Sequence, residues 1–122
     1  MISWLSIAYG AALSAVIAAA VVRLVRRERR LDVLATVAGA ALIGPAAWNA
    51  ILRSAGAPTF FHDAPVVILP ASWQDTGSGV FTLATATVLL GFGAMARSEA
   101  RAAASTAVLA GLSAFLVDVY LY

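Results

Sequence analysis

The chain has 122 residues, of which 62% are hydrophobic and 11% charged, and its mean hydropathy is +0.92. Soluble domains carry about a quarter charged residues, and a domain this small cannot hide so much apolar surface from water, so lipid is the solvent that fits. The net charge of +2 comes from arginines bunched at two turns, which argues against a nucleic-acid surface; the absence of cysteine excludes disulfides, thiolate metal sites and a cysteine nucleophile.

Ile2 to Val22 is a run of 21 uncharged residues, enough at 1.5 Å per residue to cross a hydrocarbon core of about 30 Å. A helix is expected over residues 2–24. The arginines follow this run rather than precede it, so it is expected to stay as a span and not to be removed as a signal. Ala8, Ala12, Ala15 and Ala19 recur at helical spacing and predict a thin face on which another helix could pack.

Arg23, Arg26, Arg27, Arg29 and Arg30 then gather five of the eight arginines in one short turn. Guanidinium groups are costly to move through hydrocarbon, so this turn is expected on the cytoplasmic side. The next apolar run predicts a helix over 31–52, with Asp32 in its first turn, where the helix dipole favours a carboxylate. Pro45 lacks the N–H that would bond the Ala41 carbonyl and predicts a kink. Asn49, one turn on, is expected to help hold whatever satisfies that carbonyl.

Residues 53–75 are expected to form a long external loop. Val66 to Leu69 is too short to span and is bracketed by Pro65 and Pro70, which predicts an extended stretch or one dipping into the interface, with Phe60, Phe61 and Trp73 at headgroup level. Ser72-Trp73-Gln74-Asp75 has capping-box spacing, so the third helix could start as early as Trp73. Its span is assigned to 76–96, with Val80 to Ala96 the firm part. Thr76-Gly77-Ser78-Gly79 lacks the lysine of a phosphate loop and reads as a flexible entry. Thr82, Thr85 and Leu89 share a face, where the hydroxyls are expected to bond their own preceding turn.

Arg97 and Arg101 mark the second charged turn and bring seven of the eight arginines to one side. The last helix is expected over 102–121. Counting back from Asp118 gives Ala114, Gly111, Ala107 and Ala103 on one face, so the carboxylate is expected to point into the bundle. The fold class is an all-α integral membrane protein of four transmembrane helices in an antiparallel bundle, N-out and C-out. Arginine without lysine hints at a GC-rich genome. The expected location is the plasma (inner) membrane of a prokaryote, as a multi-pass protein.

This topology gathers Asn49, Arg53, His62, Asp63, Asp75 and Asp118 at one membrane face. Arg53 is expected to pair with Asp118 or a loop aspartate. His62, Asp63 and Asp75 are weak metal candidates, because one histidine and no cysteine make a poor ligand set. No serine–histidine–acid motif is recognisable, and the residues leave the identity of any cofactor open. In length the chain is similar to small four-helix multidrug exporters and fluoride channels, but its first helix lacks the midway glutamate of the former. The expected role is a non-catalytic accessory or scaffold subunit of a larger membrane complex, partnered by lipid and by other membrane subunits or copies of itself. The alternatives are a homo-oligomeric transporter or channel, and a subunit of a membrane metalloenzyme.

Overall fold

The structure is a computed structural model and describes residues 2–121. Four helices account for most of it: α1 (Trp4–Val25), α2 (Leu31–Ala55), α3 (Trp73–Leu89) and α4 (Ala100–Leu121), with a 3-10 turn at Pro58–Phe61 and a π-turn at Leu90–Ala94 that prolongs α3. All four are long and apolar enough to cross a membrane. Each packs on its neighbours in sequence, α4 returns against α1, and α2 touches α4 across the diagonal. We call the two ends the arginine end, with the turns between α1 and α2 and between α3 and α4, and the loop end, with residues 56–72.

Helix boundaries follow local chemistry. The Ser3 hydroxyl accepts from the Ser6 amide and starts α1. Gly56 stops α2 in the left-handed conformation (φ 60°), where its amide reaches the Arg53 carbonyl and that of Ala57 the Leu52 carbonyl. The capping box starts α3 at Trp73: Asp75 Oδ2 accepts from the Ser72 amide at 2.7 Å, and Ser72 Oγ accepts from the Asp75 amide at 3.2 Å. Thr76-Gly77-Ser78-Gly79, expected as a flexible entry, therefore lies inside α3. At the other end Gly93 leaves helical geometry and the Met95 amide reaches back to the Leu90 carbonyl, so α3 ends earlier than the run to Ala96 suggested. Arg30 ties this end together, donating to Asp32 at 2.8 Å and to the Ala94 carbonyl at 2.7 Å.

The core of the arginine end is apolar: Ala18, Val22, Val33, Val37, Ala86 and Leu90 are among its buried members. On α1 the buried stripe is Ile7, Ala11, Ser14, Ala18 and Val22. Of the expected alanine face Ala15 is buried, whereas Ala8 and Ala12 are exposed, so the packing face overlaps it only in part. Alanine occurs all round this helix, and the side that packs is the one where Gly10, Ala11, Ser14, Ala15 and Ala18 let neighbouring backbones approach, while Leu5, Tyr9 and Val16 face outward. Pro45 does not interrupt α2; what distinguishes this level is the close approach of two backbones. A Cβ on Gly44 would stand 2.6 Å from Thr82 Cα, and a Cβ on Gly111 would stand 3.0 Å from the Gly79 carbonyl oxygen. Glycine thus sets the α2–α3 and α3–α4 spacing.

Candidate functional site

The buried face of α3 runs Gln74, Ser78, Thr82, Ala86, Leu90, one residue per turn. Its first three rungs are polar and its last two apolar. The polar rungs meet side chains from two other helices. Gln74 Nε2 lies 3.1 Å from Asp118 Oδ2 on α4, 3.3 Å from Ser78 Oγ on its own helix and 3.5 Å from Asn49 Oδ1 on α2. Asn49 is oriented for this by its amide nitrogen, which donates to the Pro45 carbonyl at 2.9 Å and leaves Oδ1 facing the bundle. That bond replaces the expected service of Asn49 near the Ala41 carbonyl.

Asp118 is 1% exposed, and its second oxygen, Oδ1, is buried with no hydrogen-bond partner. Thr82 Oγ1 is also buried and unpartnered, unlike Thr87, whose hydroxyl bonds the Leu83 carbonyl. Thr82 stands against Gly44, so closely that a Cβ on Gly44 would overlap it. Charge balance at Asp118 is not met by a side chain: among the described residues the one ion pair is Arg30–Asp32, at the opposite end.

Among the described residues Arg53 pairs neither with Asp118 nor with a loop aspartate, the two expected partners. It donates to the Ile2 carbonyl, and its guanidinium lies 4.8 Å from the centre of the Trp4 ring, which joins the end of α2 to the start of α1. The physical reason is desolvation: over an aromatic face at the rim the guanidinium keeps much of its water, whereas beside Asp118 it would lose it. Asp75 is held by Ser72, whose amide and hydroxyl both donate to Oδ2. His62 and Asp63 are exposed and line a surface cavity of about 310 Å³ with Ala64, Ala71, Ser72, Trp73 and Thr76. Among the described residues no three His, Asp or Glu side chains are grouped as metal ligands, so His62, Asp63 and Asp75 do not form a centre. Ser72 and His62 share that cavity, but the Ser72 hydroxyl is engaged with Asp75.

Above the bundle the Ala64 amide bonds the Ala71 carbonyl at 2.9 Å and closes an apolar finger whose tip, Val67 and Ile68, is 97% and 84% exposed. The Tyr120 hydroxyl donates to the Ile68 carbonyl at 2.7 Å and holds the finger to α4. Gln74 and Ser78, the centre of the polar cluster, were missed by sequence reasoning. The signal that could have found them is their i, i+4 register with Thr82. Gly77 was missed as well: a Cβ there would overlap the Trp48 indole, which lies 5.1 Å from Phe81 and 6.2 Å from Phe60, ring centre to ring centre.

Comparison with protein-family models, curated proteins and solved structures gives no match. The geometry must carry the reading alone.

Proposed function

We propose that this small multi-pass membrane protein is a non-catalytic accessory or scaffold subunit of a larger membrane complex, in the plasma (inner) membrane of a prokaryote, with its loop end outside. The observation that carries this reading is the contrast within α3. Polar rungs stop at Thr82, and below them Ala86 and Leu90 belong to an apolar core shared by all four helices. Thr106 is buried in that half, but its hydroxyl is spent on the Ala102 carbonyl at 2.8 Å, so a solute crossing unaided would carry most of the cost of desolvation. The polar cluster holds a carboxylate, amides and hydroxyls, and it has no histidine or lysine to act as the base that activates a hydroxyl. What remains prominent is surface: the exposed finger at the loop end and the apolar flanks of the helices, which suit lipid and neighbouring membrane subunits or copies of the same chain.

The test is purification from native membranes in mild detergent with a tag on this chain. Membrane proteins recovered in fixed stoichiometry, whose own assembly fails when this chain is deleted, are the expected result. Recovery of this chain alone, with every other assembly unchanged on deletion, rejects it. A second reading, a homo-oligomeric transporter or channel, is favoured by the buried polar face of Gln74, Ser78, Thr82 and Asp118. It requires copies to rearrange so that this face becomes a route together with Pro45 and Thr85. Flux of protons, ions or amphiphiles into proteoliposomes containing only this chain would select it over the first.

A further inference from the structure

Three oxygens from three helices converge on one atom. Asp118 Oδ2, Ser78 Oγ and Asn49 Oδ1 surround Gln74 Nε2 at 3.1, 3.3 and 3.5 Å. The amide carries two N–H groups for three acceptors, the Ser78 hydroxyl adds one proton toward the carboxylate, and Asp118 Oδ1 still has no hydrogen-bond partner of its own. A single positive charge at the centre of this set would satisfy what the amide cannot. Turning the Gln74 amide half a turn about its terminal bond, a broad and roughly two-fold torsion, removes the N–H groups and presents Oε1 instead. The cluster then offers oxygens from Gln74, Ser78, Asn49 and Asp118, with one negative charge among them.

We propose that this cluster is a binding site for a dehydrated monovalent cation of about sodium's size, with Asp118 supplying the charge and Gln74 acting as the gate that fills the site when it is empty. Hard cations take carboxylate, amide and hydroxyl oxygens. One carboxylate balances one unit of charge. The other nearby acid, Asp75, already has its Oδ2 held by two donors from Ser72. A guanidinium is not available to compete, because Arg53 is engaged with Ile2 and Trp4. The site is buried yet near the loop end: Gln74 is 1% exposed and stands in the first turn of α3. This inference does not depend on the accessory-subunit reading, since a cation can brace three helices in a scaffold or in a transporter.

The experiment is thermal unfolding of the purified full chain in detergent, followed by tryptophan fluorescence, with sodium chloride exchanged for choline chloride at constant ionic strength. The expected result is a Tm that rises with the logarithm of sodium concentration once the site begins to fill, as linkage requires, and that rises less with potassium. Asp118→Asn keeps the shape and an acceptor for Gln74 but removes the charge, and its Tm is expected to be the same in sodium and choline. Ser78→Ala keeps the charge and removes one oxygen, and should need roughly tenfold more sodium for the same shift, the equivalent of one charge-assisted contact; it carries the test if Asp118→Asn does not fold. Coincident wild-type curves in sodium and choline, or a sodium response unchanged in either variant, would overturn the proposal.

Discussion

The arginine end and the loop end of this bundle are held together by different means. At the arginine end small and medium apolar side chains fill the space between four helices, and the one prominent polar tie is Arg30 reaching Asp32 and the Ala94 carbonyl. At the loop end the helices are linked by named polar contacts: Gln74 to α2 and α4, Arg53 to Ile2, Tyr120 to Ile68. The difference teaches how a chain in lipid divides stability from selectivity. Apolar packing tolerates exchange among similar side chains, whereas a buried polar contact demands a particular partner and penalises its loss.

Substitutions can sharpen or break that contrast. The largest expected effect is at the apolar end: Leu90→Ala leaves a cavity among fully buried neighbours and should lower stability by about 2–5 kcal/mol, read by denaturant unfolding in detergent, whereas Leu90→Met should cost less than about 1.5 kcal/mol. Gly44→Ala comes next, since its methyl would press on the backbone of Thr82 and overpacking costs about 1–3 kcal/mol; cysteine cross-linking between α2 and α3 should slow in parallel. Ser72→Ala removes the α3 cap and should cost about 1 kcal/mol, with faster amide exchange confined to the first turn of α3. Smallest, and of opposite sign, is Gly39→Ala, where nothing lies within 4 Å of the new methyl: helix propensity alone should raise stability by roughly 0.5–1 kcal/mol. If Gly44→Ala and Gly39→Ala behaved alike, glycine would not be setting the helix spacing.

The four helices were legible because each is a long apolar run set off by arginine, proline or glycine, and such runs have few other uses. Helix faces were legible only in part. On α4, Ala107, Gly111, Ala114 and Asp118 do lie on the buried side, because one charged residue there distinguishes the faces. On α1 no charge does so, and the alanine spacing caught the buried side only at Ala15, while Ala8 and Ala12 face outward. The site was harder to read. Gln74 stands beside a capping serine, where a polar residue looks like surface, and Ser78 and Gly77 stand in a stretch whose composition resembles a loop. Their roles come from what α2 and α4 bring against them: the Trp48 indole over Gly77, and the oxygens of Asn49 and Asp118 around the Gln74 amide. Arg53 was misassigned because counting charges finds a partner for every cation, while a carbonyl and an aromatic face are not visible in such a count.

The bond from the Tyr120 hydroxyl to the Ile68 carbonyl spans 52 positions of the chain. A ribosome therefore exposes the finger well before it makes the residue that fastens it. Until α4 is in place the finger is closed by its own Ala64–Ala71 bond but lacks its tie to the last helix, and the side chains of Val67 and Ile68 stay exposed even after that tie is made.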